Sequence, residues 1–136
     1  MIAAALNYAT SLLGLQRFEE AKTLYRKTMP VARRVLGGNH VFTLRVRWGY
    51  AETLYKDPAA TLDDLREAVT TLEETERIAR RVFGGAHPVT TAHEKALRNA
   101  RAALRGPDLK HRESDRFVAL LAALVFAVGS CVMLAI

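Results

Sequence analysis

The chain has 136 residues, of which 50% are hydrophobic and 25% are charged, and its formal net charge is +6. This composition excludes a disordered chain, because half of the residues can enter a core, and the length allows one modest domain. The single cysteine excludes an internal disulfide. The positive charge leaves acidic proteins, nucleic acid and anionic lipid open as partners.

Apolar residues at helical spacing predict a first helical hairpin over about residues 2–38. Gly14 interrupts the stripe and predicts a short turn there. The second helix of the hairpin is longer, and we expect it to end at Gly37-Gly38, because glycine accepts left-handed backbone angles.

A second hairpin is predicted over about residues 39–85, opening at Asn39 or His40 and breaking at the turn sequence Lys56-Asp57-Pro58. Its second helix begins with a capping signal, since Asp64 follows Thr61 by three residues.

A third helix start is predicted at Ala86 or His87, because Pro88 suits the first turn of a helix. It opens a partial third unit over about residues 86–105.

The segment 33–40 returns as 80–87, 47 residues later, so the chain is a repeat array. One hairpin cannot bury its apolar face alone, and stacked hairpins share a core. The sequence therefore predicts an all-α solenoid. The residues that define the repeat are Ala9, Ala21, Gly37, His40, Ala51, Ala68, Gly84 and His87.

Three motifs share an order and a spacing in this array: Leu6-Asn7-Tyr8-Ala9, Glu19-Glu20-Ala21 and Leu-Gly-Gly-x-His. Together they resemble the tetratricopeptide repeats of the kinesin light chain type, over about residues 4–104. The resemblance implies that the first helices line a concave groove for an extended or helical peptide. The asparagine that such families often direct into the groove matches Asn7, whereas its counterparts here are Gly49 and Ala96.

Helical position selects four groove candidates: Asn7, Arg45, Trp48 and Glu52. Trp48 also falls on an apolar stripe, where core packing is the favoured interpretation. In the third unit Arg98 replaces the small residue of the earlier repeats and Arg101 replaces Leu54. A buried arginine pair would be costly, so we expect a terminal cap with one polar face.

The sequence predicts no catalytic residues, no metal site and no cofactor. His40 and His87 recur at helix starts, where imidazole caps amide groups, and His93, His111 and Cys131 share no ligand-like spacing with them. No phosphate loop or nucleophile elbow is present. Nucleic acid is disfavoured, because arginines in the last turn of a helix already complement the macrodipole and aromatic platforms are lacking.

Residues 106–116 alternate in charge and are predicted to be a solvated linker. Residues 117–136 carry no charge, and as a helix of about 1.5 Å per residue they match the ~30 Å core of a bilayer. Lys110, Arg112 and Arg116 precede this segment, which predicts a tail anchor with the repeats in the cytoplasm. The alternatives are an apolar helix that packs on the repeats of a soluble cytoplasmic fragment, and a segment created by a wrong exon boundary.

These signals favour a non-enzymatic protein interaction scaffold that its C-terminal helix holds at a membrane. The predicted partners are a protein or peptide in the groove and the membrane at residues 117–136. The alternatives are a soluble fragment of a larger repeat array, and a basic module that binds nucleic acid or anionic lipid.

Overall fold

The computed structural model describes residues 1–106 and 118–124. The helices of the first segment are α1 (Ile2–Gly14), α2 (Phe18–Leu36), α3 (Val41–Lys56), α4 (Leu62–Phe83) and α5 (Pro88–Arg105). Residues 118–124 are also helical, and no strand occurs in either described segment. The prediction of an all-α chain is confirmed.

The helices of residues 1–104, which form one compact unit, stack as hairpins. Helix α1 packs on α2, α2 on α3 and α3 on α4, and α1 also contacts α3. Helix α5 contacts α3 through His93 and α4 through Arg101. The first helices of the successive units, α1, α3 and α5, therefore follow one another along the stack.

Small residues allow the paired helices to approach each other. Ala9, Ala21, Ala51 and Ala68 are at most 1% exposed, and a methyl side chain lets two helix backbones pack closely. In α5 the corresponding position is an arginine that faces solvent. Arg101 is also exposed, and it donates a hydrogen bond of 2.7 Å to Glu73 on α4. Both arginines therefore avoid burial, as expected for a polar face.

Two glycines end the second helices. Gly37 and Gly84 follow α2 and α4 with φ of 86° and 88° and ψ of 161° in both. The positive φ was predicted, but ψ is extended and not that of the left-handed helix. This region of backbone space is essentially restricted to glycine, because a Cβ atom would clash there.

Side-chain caps begin three helices. His40 Nδ1 accepts from the Phe42 amide at 3.1 Å, and His87 Nδ1 accepts from Val89 at 3.2 Å. Of the two starts predicted for each unit, the histidine is the cap. At α4, Thr61 and Asp64 form the predicted capping box, in which each side chain accepts from the backbone amide of the other residue.

The hairpin turns differ in length. Residues 15–17 join α1 to α2, whereas residues 57–61 join α3 to α4. Ala51 and Ala68 are 17 positions apart, whereas Ala9 and Ala21 are 12 positions apart, so the second hairpin holds five extra residues. Two of them lengthen the turn, and the other three extend the helix, since α4 has 22 residues and α2 has 19.

The short helix at 118–124 exposes its apolar side chains. Val118, Leu120, Leu121 and Leu124 are between 51% and 64% exposed. Within the described segments, no helix has both the length and the apolar character needed to cross a bilayer. The rest of the predicted tail helix, and all of the predicted linker except Gly106, lie outside the described residues.

Candidate functional site

Helix α3 presents a stripe of three predicted groove residues, Arg45, Trp48 and Glu52. They are spaced by three and four positions, so they share one face of the helix. Arg45 is exposed, whereas Trp48 and Glu52 are half-buried. The structure thus brings these three candidates together on one helix.

Trp48 packs on α5. Its ring centroid lies 5.5 Å from that of His93, with 46° between the planes. The indole Nε1 is buried, and no described residue accepts its hydrogen bond. Trp48 therefore contributes through ring packing, which agrees with the interpretation favoured for its apolar stripe.

His93 holds α5 against α3 and was missed as a structural residue by the sequence reasoning. It is fully buried. Its Nδ1 lies 2.7 Å from the Val89 carbonyl oxygen in α5, and its Nε2 lies 3.4 Å from the Leu44 carbonyl oxygen in α3. The available signal was its helical spacing to Ala96 and Ala100, which are also buried.

An open cavity of about 480 Å³ lies where α1 and the first turn of α2 meet the end of α3. Leu13 and Phe18 supply apolar surface, and Thr10 adds a hydroxyl. At its edge Glu52 and Lys56 form an ion pair of 2.5 Å. An apolar floor beside a charged pair suits a peptide side chain with a polar neighbour. Lys56 and Phe18 were not predicted as groove residues.

Two tyrosines near this region, the buried Tyr25 and the half-buried Tyr55, remain protonated at neutral pH. Burial raises the pKa of the Tyr25 hydroxyl, which lies 3.3 Å from Thr10 Oγ1. Burial, with a smaller contribution from the Glu52 carboxylate, raises the pKa of Tyr55 to about 12. Contact with the Asn99 side chain opposes this increase.

The fourth predicted groove residue, Asn7, is exposed and lies on α1, whereas the other three lie on α3. Its counterparts Gly49 and Ala96 were counted as groove positions without a polar side chain, but both are buried. A Cβ atom on Gly49 would face Tyr25 of α2. On α1, Thr10 lies 42 positions before Glu52 in the chain and lines the cavity with it, together with Leu13 and Gly14.

No hydrogen bond or ion pair in the described residues joins any two of the four predicted groove residues. The backbone carbonyl oxygen of Asn7 accepts a hydrogen bond from the Ser11 hydroxyl within α1. In the same part of the chain, no group of three or more His, Cys, Asp and Glu residues is arranged to hold a metal ion.

These features define a stack of helical hairpins with an open cavity between α1, α2 and α3. Residues 1–57 match the tetratricopeptide repeat family. The matched range contains α1, α2 and α3. No curated protein and no solved structure matches the chain significantly. Tetratricopeptide repeats generally mediate protein–protein interaction.

Proposed function

We propose that this protein is a non-enzymatic interaction module that binds a peptide segment of a partner protein along α1, α3 and α5. The cavity beside Glu52 carries this proposal, because apolar Leu13 and Phe18 lie next to the Glu52–Lys56 ion pair. A peptide can bury an apolar side chain there and exchange hydrogen bonds with the pair. The kinesin light chain type is part of this proposal and is supported by the recurring Gly-Gly-x-His turn.

Selection from a phage-displayed peptide library tests this function with the full chain. Glu52→Lys reverses one charge of the cavity. Asp63→Lys makes the same change in charge on α4, where the Asp63 side chain is 92% exposed. We expect selected peptides to bind the wild type and the Asp63 variant alike, and the Glu52 variant at least about tenfold more weakly. Equal binding by all three proteins would refute the groove.

The proposal extends to a membrane tether at residues 117–136, with the repeats on the cytoplasmic side. It is supported by the uncharged composition of this segment and by the exposed apolar side chains at 118–124. A surface of this kind gains free energy on transfer to hydrocarbon, at about 25 cal/mol per Å² of apolar area.

Alkaline carbonate extraction of membranes from cells that express the full chain tests the tether. Replacing Leu121 and Leu124 by arginine places two charges in the segment, which is costly in hydrocarbon. Replacing Leu15 and Val35, which are 68% and 63% exposed in the repeats, is the matched control. We expect only the first pair to release the protein. Release of the wild type would reject the tether and leave the groove untouched.

A further inference from the structure

A second open cavity, of about 460 Å³, lies between α2 and α4 above the start of α3. Arg26 and Arg33 of α2 line it together with Arg47 of α3. Met29 and Ile78 add apolar surface. Among the described residues, no aspartate or glutamate lines this cavity, which we call the arginine cleft. Three positive charges thus meet in one concave site.

The three arginines are unequally satisfied. Arg26 Nε donates to the Tyr50 hydroxyl at 3.0 Å, and its guanidinium lies 5.6 Å from the centre of the Tyr50 ring. Arg47 forms an ion pair with Glu74 of α4. Arg33 is exposed and has no ion pair or side-chain hydrogen bond in the described part of the chain. It is therefore available to a ligand.

The second repeat provides an internal comparison, because the cleft residues of α2, the glycine turn and α3 each have a counterpart 47 positions later. The counterpart of Arg33 is Arg80, which donates to Glu76 at 2.8 Å and also pairs with Glu94. In the first repeat, the residues at the positions of these two carboxylates are Met29 and Arg47. Arg33 therefore lacks both of the carboxylates that neutralise its counterpart Arg80.

The glycine turns show the same difference in space. A Cβ atom on Gly85 would lie 3.2 Å from a guanidinium nitrogen of Arg80, whereas one on Gly38 would meet nothing within 4 Å. Gly38 also lines the arginine cleft. The space beside the glycine turn is thus occupied by Arg80 in the second repeat, whereas it is open in the first repeat.

We propose that the arginine cleft binds an acidic segment of a partner protein, with a ligand carboxylate in the place that Glu76 and Glu94 take beside Arg80. The guanidinium fork of Arg33 matches a carboxylate with two hydrogen bonds. Met29 and Ile78 contact an apolar residue next to that acid. This site is separate from the groove of α1, α3 and α5 and does not depend on it.

Fluorescence polarisation with the full chain tests the cleft. The probe is a fluorescein-labelled peptide of alternating glutamate and leucine, and its control has glutamine in place of each glutamate. Arg33→Glu removes the free arginine. Arg34→Glu makes the same change in charge at a neighbouring exposed residue that does not line the cleft. Glu52→Lys, in the groove, separates the two sites.

A second pair of variants imitates the second repeat. Met29→Glu restores the carboxylate that Glu76 supplies to Arg80, so the cleft neutralises itself. Val35→Glu adds the same charge at a residue that is 63% exposed on the same helix. Circular dichroism of each variant checks that the helix content of the wild type is retained.

We expect Arg33→Glu and Met29→Glu to weaken binding of the glutamate peptide by about tenfold or more, since a charged hydrogen bond is lost. Arg34→Glu, Val35→Glu and Glu52→Lys should change it by less than about threefold. The proposal is overturned if Arg34→Glu weakens binding as much as Arg33→Glu, if the glutamine peptide binds equally well, or if the wild type does not bind.

Discussion

Gly49 of α3 sets how closely α2 can pack, and Gly49→Ala tests this contact. A Cβ atom there would lie 2.4 Å from Cζ and Oη of Tyr25 and 2.6 Å from Cε1. Real Cβ atoms do not approach other atoms so closely, so the ring would have to move. Tyr25 is 1% exposed and its hydroxyl lies near Thr10, so little space is available for that movement.

Two opposing effects decide the sign of the change. Alanine is preferred over glycine inside a helix by about 1 kcal/mol. Overpacking a close-packed core costs about 1–3 kcal/mol. We expect the second effect to prevail, so that Gly49→Ala lowers the free energy of unfolding by about 1–2 kcal/mol, or roughly 5 °C or more in Tm.

Thermal and urea unfolding of the full chain, followed by circular dichroism at 222 nm, measure this difference. Gly14→Ala is the control, because nothing lies within 4 Å of a Cβ atom at that helical position. It should be neutral or stabilising by up to about 1 kcal/mol. In a Tyr25→Leu background the ring is absent, and Gly49→Ala should then be neutral or stabilising as well. If Gly49→Ala stabilises the wild type as much as Gly14→Ala does, the close contact does not limit packing.

Four further substitutions address the helix ends and the α3–α5 contact. Gly84→Ala places a Cβ atom at φ 88° and ψ 161°, and should lower the free energy of unfolding by about 1–3 kcal/mol in urea titrations; an unchanged midpoint would contradict the strain. Thr61→Ala should cost about 1 kcal/mol through the lost cap. The Thr61 backbone amide lowers the pKa of Asp64. This stabilisation is therefore complete above the unfolded pKa of about 3.9 and is lost as pH falls through the folded value. Asp64→Asn should weaken this loss of stability at acid pH. His93→Ala should cost about 2 kcal/mol or more, because the side chain is fully buried, and retention of the wild-type Tm would show that α5 is held by other contacts.

Local signals in the sequence predicted the helix boundaries. A capping box at Thr61, a histidine before the first turn and a glycine pair after the last turn each act within a few residues, so their outcome does not depend on distant parts of the chain. The helix boundaries in the structure agree with these signals, although ψ of both glycines is extended. The alanines that define the repeat are buried.

Contacts between helices were harder to predict. The role of Gly49 depends on Tyr25, which lies on another helix, and no local pattern distinguishes a glycine under a ring from one that faces a groove. The sequence tested His93 only as a metal ligand. Its packing role could not be predicted, because the carbonyl that it approaches belongs to Leu44 on another helix, α3. The arginine cleft likewise depends on contacts between α2, α3 and α4, which no local pattern specifies.

The unequal hairpin turns have a consequence for engineering. The second hairpin contains five additional residues in a longer turn and a longer α4, and its buried alanines lie as far from the C-terminal ends of their helices as those of the first hairpin. We therefore expect the turn of the first hairpin, residues 15–17, to tolerate an insertion, because all three of its residues are exposed. A fluorophore attached there would lie at the edge of the cavity beside Glu52, because Gln16 lines that cavity, and its signal would report on occupancy of the cavity.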